Sequence, residues 1–481
     1  MSEPIRAQLE RGLGLGLAAV AAMVGITCGS RGALEHGPIA PLSTVSAGGG
    51  LGGRAGAGTG PGTGTGTGTG TVAGGGAGVV ARARSGDPRL LDLPKFYADL
   101  GELERKGRRE AVRVLWLGDS HTAADYLTGA LRSRLQARFG AGGPGFVRVG
   151  LRPYRHSQVR WACDGAWKIE PVPPPRRTPF DDGVFGLGGL RALPDGAPAQ
   201  AGFELSKGAA GGQLRWQLWY SLGAAESFKV TVAGVSQVVT SASAARDLPG
   251  AGFVSLDLQS GPEDRLELLT LGGSPRFFGL IVEGSEPGLV IDAVGIDGAR
   301  LATALAWGEA SFEAALRARA PSLVAFAFGT NEAFDADKVE KYRAQYQALL
   351  ARVRVATPDV DCLIVGPPDA IAVAGGSEPR VSEIDSLQRS VAAELGCGYV
   401  SQLEIMGGPG SYSKWTHETP KLARGDRLHL TARGYEVMAD SIASKLLAAY
   451  AVAQRSAPAP ASAVAPAPAV APASAVAPAA R

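Results

Sequence analysis

Cysteine is scarce: four residues in a chain of 481 are too few for a disulfide scaffold. Cys163, Cys362 and Cys397 lie in the body, with no CxxC pair and no adjacent histidine, so zinc is not expected. Cys362 opens one apolar run and Cys397 precedes another. Both read as buried strand positions where a thiol packs as a small hydrophobe. In an oxidising compartment a bridge between them is the less favoured alternative. Excess charge of one sign is also missing, with 48 basic against 45 acidic residues. That balance leaves no footprint for nucleic acid. No segment of the body holds 18 uncharged apolar residues, which excludes a multi-pass membrane protein. Residues 47–80 and 456–481 lack the large side chains that offset chain entropy, so neither stretch is expected to form a core. The Gly-rich tract has no G-X-Y period, which excludes collagen.

The ends of the chain do carry signals. Arg6 and Arg11 precede an uncharged stretch over 12–30, with Cys28 near its end and Arg31 after it. This predicts an export segment over 1–31 and a periplasmic or cell-surface protein. Lipidation of Cys28 would add a membrane anchor, although Gly25-Ile26-Thr27 fits the usual cleavage box poorly. The bland alternative is a disordered extension of a cytoplasmic protein. A disordered Gly/Thr-rich linker is expected over 32–87. A stiffer Ala/Pro-rich tail is expected over 453–481.

What remains is about 365 residues, enough for one large domain or two ordinary ones. Apolar positions over 93–106 follow helical spacing, and 112–117 is nearly continuous in apolar residues, as in a strand buried on both faces. A helix is expected over 126–139. The alternation resumes with helix 303–319, strand 323–328, helix 338–356, strand 361–365, helix 383–395, a short strand near Tyr399 and a last helix over about 432–451. Such alternation indicates a three-layer α/β domain. Between about 152 and 288 short β-patterned segments replace it, punctuated by Gly, Pro and Asp. The expectation is an α/β domain, 88–151 and 289–452, split by an inserted β-sandwich over 152–288.

The chemistry concentrates at strand ends. Gly118-Asp119-Ser120-His121-Thr122 follows the first buried strand and opens a helix, at the carboxyl edge where open α/β sheets bind ligands. A serine there is a candidate nucleophile, with a structural turn and helix cap as the bland reading. A serine hydroxyl needs a base, usually histidine. Of five histidines, His36 falls in the N-terminal region, His121 adjoins the serine, His156 opens the β-rich block and His417 sits in a polar loop. His429 is different, since Asp426 three residues earlier can fix its tautomer and orient it toward Ser120. Attack on an ester also needs donors for the oxyanion. Asn331, after the strand over 323–328, offers a side-chain amide. Gly298, after the run over 289–294, offers an unobstructed N–H, and the Ser120 N–H at a helix start is the third candidate.

Taken in order, Ser120, Gly298, Asn331 and the Asp426/His429 pair resemble the four signature blocks of the SGNH (GDSL) hydrolase family. The resemblance spans about residues 110–450 apart from the insertion. It implies a flavodoxin-like α/β/α fold and ester hydrolysis through an acyl-serine, without a cofactor or a metal. The Gly-Asp-Ser-His motif, the stretch 139–146, the long β insertion and 294–299 look like the peptidoglycan O-acetylesterase branch. There the insertion resembles a carbohydrate-binding module of the CBM35 type. Glu332 stands where many relatives have Asp, and Asp297 where close relatives often have Asn. The insertion holds Trp161, Trp167, Trp216 and Trp219, which either stack on sugars or fill the sandwich core. Asp181 and Asp182 read as an exposed acidic turn rather than a metal site.

Three functions follow for the test. The first is removal of O-acetyl groups from a cell-wall polysaccharide, with an acetylated polysaccharide as partner and nucleic acid excluded. The second is an O-acetyltransferase using the same residues. The third is a non-catalytic polysaccharide-binding protein, against which the complete set of site residues argues.

Overall fold

The computed structural model describes residues 27–28, 91–150, 155–171, 182–241 and 245–456. The expected linker and nearly all of the export segment and tail lie outside those residues. Thr27–Cys28 is a two-residue strand whose backbone pairs with Ala166 and Gly165.

In the α/β part, helix α1 (Pro94–Glu104) leads into strand β1 (Val112–Gly118), followed by α2 (Ser120–Ala123) and α3 (Tyr126–Phe139). After the β-rich block come β2 (Leu289–Gly295), α4 (Leu301–Leu305), α5 (Glu309–Arg319), β3 (Leu323–Ala327) and α6 (Glu340–Ala356). Strand β4 (Asp361–Gly366), α7 (Pro379–Leu395), β5 (Gly398–Ser401) and α8 (Ala432–Ser456) complete it. The five strands are all parallel, in the order β2-β1-β3-β4-β5. That is the flavodoxin order, reversing direction at β1 and opening a crevice there.

The layering follows from alternation along β1. Val114 and Trp116 pack with residues of α1, α3 and α8. Leu115 and Leu117 face the other way, into a cluster with residues of α4, α5, α6 and α7. A strand apolar on both faces can satisfy both faces only when helices cover each of them.

The β-rich block forms a second, antiparallel assembly. One run of strands is Arg246–Asp247, Val254–Ser260, Leu214–Ser221, Arg276–Gly284 and Leu190–Pro194, and the other is Gln200–Leu205, Arg265–Gly272, Ser227–Val232 and Val235–Thr240. The long strand Val159–Pro171 belongs to both, pairing through 159–164 with the second run and through 167–171 with the first. Between the two layers Phe228 meets Tyr220 and Phe277, with ring centroids 4.9 and 5.2 Å apart. On the outer face of the first layer, Trp219, Phe253 and Phe278 share a buried cluster with Trp307 and Phe312 of the α/β part. A buried charge lattice joins the same two parts. Arg319 reaches Asp292 at 2.8 Å and Glu283 at 2.7 Å, and Arg113 reaches Glu283 at 2.7 Å. Burial alone would raise the Glu283 carboxyl, but Arg319 and Arg113 outweigh it and hold it well below the usual range.

Several expectations need correcting. The helix expected over 303–319 is two helices, because the Gly308 N–H turns out to bond Gly183 O of the β-rich block at 3.0 Å. That block also recruits Gly145–Val147, upstream of residue 152, as a partner of Arg276–Gly284. Helix α8 continues to Ser456 rather than ending near 451. Cys362 and Cys397 are joined in a disulfide rather than packed as separate thiols. The reason is register: Leu363 pairs with Gly398 across neighbouring parallel strands, which places the preceding cysteines side by side, 4.7 Å between Cα atoms.

Candidate active site

Strand register assembles the site. Gly118 at the end of β1 stands opposite Gly295 of β2 on one side and Ala327 of β3 on the other. The segments carrying Ser120, Gly298 and Asn331 therefore leave the same edge of the sheet, two to four residues further on. The turn after β1 is tight: a Cβ on Gly118 would stand 2.2 Å from Thr122 Oγ1 and 2.9 Å from Ala327 O. Asp119 caps α2 by accepting the His121 N–H at 2.9 Å, which puts Ser120 at the first helical position. There its backbone N–H belongs to the unpaired start of the helix.

His429 arrives from 309 residues away in sequence. Its Nε2 lies 2.8 Å from Ser120 Oγ, and its Nδ1 lies 3.0 Å from Asp426 Oδ2. The other carboxylate oxygen of Asp426 accepts the Leu428 and His429 N–H groups at 3.1 and 2.9 Å and the Tyr412 hydroxyl at 3.2 Å. Arg427 adopts φ +70°, a left-handed conformation at the turn between these partners. Tyr412 also lies 3.0 Å from Arg424 O and 2.9 Å from His429 O, so one hydroxyl spans both limbs of the turn. Burial by itself would raise the Asp426 carboxyl, but the donors around it win and hold it below its ordinary value. It is therefore a carboxylate across the neutral range.

The donor side is equally braced. Asn331 Nδ2 gives one hydrogen to Ala299 O at 2.9 Å, which fixes the amide and leaves it a second N–H. Glu332 accepts the Leu301 N–H at 2.8 Å and the Gly329 N–H at 3.0 Å, tying the turn after β2 to the turn after β3. Arg300 and Asp335 pair across the same gap at 2.7 Å. Gly298 sits exposed on its turn at φ +71°, with open space where a side chain would begin. Asp119 and Glu332 lie beneath these loops, and burial pushes both carboxyls up to about 7.

The structure thus brings Ser120, Asp426 and His429 into one hydrogen-bonded chain, with the turns of Gly298 and Asn331 at the same sheet edge. His417 ends a short helix, Ser411–His417, and is exposed rather than at the site. His156 is buried 3.8 Å from Asp125. His36 and Asp181 lie outside the described residues. Asp182 is bound to Arg191 at 2.6 Å and to Arg276. Trp167, Trp216 and Trp219 are buried, two of them with indole N–H groups bonded to Gln200 O and Ser260 Oγ. Those three fill the interior and have no face for a sugar. Trp161 is partly buried against the core that holds Trp167 and Trp216. Sequence reasoning missed Tyr412, because the helix that carries it has no long apolar period. His121 adjoins the serine in sequence but bonds the Tyr435 hydroxyl instead, and its ring packs 5.3 Å from that of His429.

An arrangement of this kind can remove a proton from a hydroxyl while holding donors toward a developing oxyanion. Comparison with known proteins agrees in kind. Residues 260–437 match the GDSL-like lipase/acylhydrolase family. A peptidoglycan O-acetylesterase structure aligns at 25% identity and TM-score 0.63, covering 77% of this chain and 99% of that one. A family two carbohydrate esterase from Clostridium thermocellum aligns at 11% identity over 53% of this chain and 93% of that one, with TM-score 0.26. An acetyl xylan esterase aligns at 16% identity over 33% and 81%, also at 0.26. Those two likenesses are too weak to weigh further. No curated protein sequence matches.

Proposed function

Because this chain is an esterase carrying a GDSL-like lipase/acylhydrolase domain, we propose that it removes O-acetyl groups from a peptidoglycan-like cell-wall polysaccharide. The observation that carries this reading is the openness of the site. The His429 and Asp426 side chains are 29% and 43% exposed. A polymer too large to enter a cavity can lay a single ester against such a surface. The extent of the likeness to a peptidoglycan O-acetylesterase, nearly the whole of that chain, supports the same substrate class.

In the proposed reaction Ser120 Oγ attacks the acetyl carbonyl as His429 Nε2 takes its proton. Asp426 holds the imidazolium that forms. The Ser120 N–H, the Gly298 N–H and the second Asn331 N–H receive the oxyanion. Collapse expels the sugar oxygen, which takes the proton from His429 and leaves an acetyl-serine. Water then adds to that ester with His429 as base, and acetate departs as Ser120 recovers its hydrogen. A sugar hydroxyl in place of that water would make the product a transferred acetyl group. We also place the enzyme outside the cytosol, which the Cys362–Cys397 bridge favours because reducing compartments keep thiols free.

The test is acetate release from acetylated peptidoglycan, xylan and chitin fragments, with Ser120→Ala as control. The expected result is release from peptidoglycan that the substitution abolishes. Hydrolysis of p-nitrophenyl acetate without release from any glycan would overturn the substrate assignment. Acetyl appearing on an oligosaccharide acceptor would make the enzyme a transferase.

A further inference from the structure

The residue after the serine is a histidine that the proposed reaction does not use. His121 is buried, its Nδ1 is 2.8 Å from the Tyr435 hydroxyl, and its Nε2 has no hydrogen-bond partner among the described residues. Tyr435 lies in the first turn of α8, immediately beyond the turn that carries His429. Either partner can be the donor in that bond, since a neutral imidazole carries its one hydrogen on Nδ1 or on Nε2. Tyr435 is further fixed by Tyr126, stacked at 5.9 Å and 6°, and the Arg155 guanidinium lies 4.0 Å over the far ring.

Two chain segments already joined by the Ser120–His429 bond are thereby tied a second time. His121 rides on α2 beside Ser120, while Tyr435 follows the His429 turn. We propose that His121 and Tyr435 are positioning residues, a hydrogen-bonded strut that sets the His429 ring against Ser120 without itself exchanging protons. This rests on the reading of Ser120 and His429 as nucleophile and base. Burial, aided by the positive charge that His429 carries during turnover, pushes His121 down to about 3. A ring that stays neutral does not compete with its neighbour for the serine proton or add a second cation beside the imidazolium. The groups facing it with opposite or variable charge are Asp119, Asp426, His429 and Tyr435. Asp426 is the one whose charge favours protonation, and burial outweighs it.

The decisive variant is Tyr435→Phe, which deletes one hydroxyl and keeps the stacked ring. With p-nitrophenyl acetate, kcat should fall about tenfold while KM stays within twofold. His121→Phe should lose a similar amount, and the double variant no more than either single one, because both remove the same bond. A kcat within twofold of wild type in folded Tyr435→Phe, or losses that multiply in the double variant, would overturn the strut. Imidazole nitrogen NMR reads it without activity. His121 should show no titration between pH 5 and 8, and Tyr435→Phe should shift the His429 resonances. A titrating His121 would overturn the proposal even if no variant folds well enough to assay, and so would His429 resonances that Tyr435→Phe leaves unmoved. Loss of esterase activity is traced separately with Ser120→Ala, so failure of the strut and failure of the serine mechanism give different results.

Discussion

Replacing Asp426 by Asn is a sharp test of the site, because the outcome turns on which way one amide faces. In the native protein one oxygen serves His429 Nδ1 and the other faces two backbone N–H groups and the Tyr412 hydroxyl. An asparagine must give its N–H₂ to one side. Turned toward the backbone, it sets donors against the Leu428 and His429 N–H groups, two conflicts of about 1–3 kcal/mol each. Turned toward the ring, it meets only Nδ1, which can shed its hydrogen to Nε2. The second orientation wins, and Nε2 then carries a hydrogen where it must accept one from Ser120. Populating the competent tautomer costs about 2–6 kcal/mol, and the lost carboxylate charge adds to the barrier. We expect kcat to fall about 10³–10⁴-fold, with KM nearly constant and thermal unfolding close to wild type. The assay is steady-state hydrolysis of p-nitrophenyl acetate beside a melting curve. A folded Asp426→Asn enzyme within tenfold of the native kcat would show that the ring takes its orientation from something other than this carboxylate.

Three further outcomes are expected. Asn331→Ala should lower kcat by about 10²–10³, equivalent to about 2.7–4 kcal/mol, and near-normal turnover would remove Asn331 from the oxyanion site. Burial raises Glu332 from 4.5 to about 7, so the folded state keeps a proton that the unfolded chain has released, and stability should fall as pH climbs through that window. Urea titrations between pH 4.5 and 7.5 should show a shallower fall in Glu332→Gln, and equal slopes would contradict the assignment. Replacing Cys362 and Cys397 by serine opens a 35-residue loop, which the chain-entropy relation values at about 4 kcal/mol. A double variant whose denaturation midpoint does not move would show the bridge to be without consequence for stability.

The parts of the molecule legible in the sequence are those fixed by local pattern. The apolar run over 112–117 had to be a doubly covered strand, and the helix over 126–139 has the bounds observed for α3. Ser120, Gly298 and Asn331 could be ranked because each follows such a strand, and the register of Gly118 with Gly295 and Ala327 explains why they emerge together. What depended on tertiary neighbours was hidden. Nothing in the chain announces that Cys362 and Cys397 sit on adjacent strands, that Gly308 breaks a helix to reach Gly183, or that Trp216 and Trp219 point inward. The same holds for Tyr412 and Tyr435, whose importance lies in one hydroxyl each and not in any period.

The apolar seam of Trp219, Phe253 and Phe278, together with the Arg113–Glu283–Arg319–Asp292 lattice, bears on how this protein could be re-engineered. Excising the β-rich block would strip the hydrophobic cover from α5 and leave Arg113 and Arg319 without Glu283, the counter-charge they share. Chimeras that exchange sugar specificity by cutting near residues 152 and 288 should therefore aggregate. Those that carry Gly145–Val147 and the seam across with the block keep both surfaces matched.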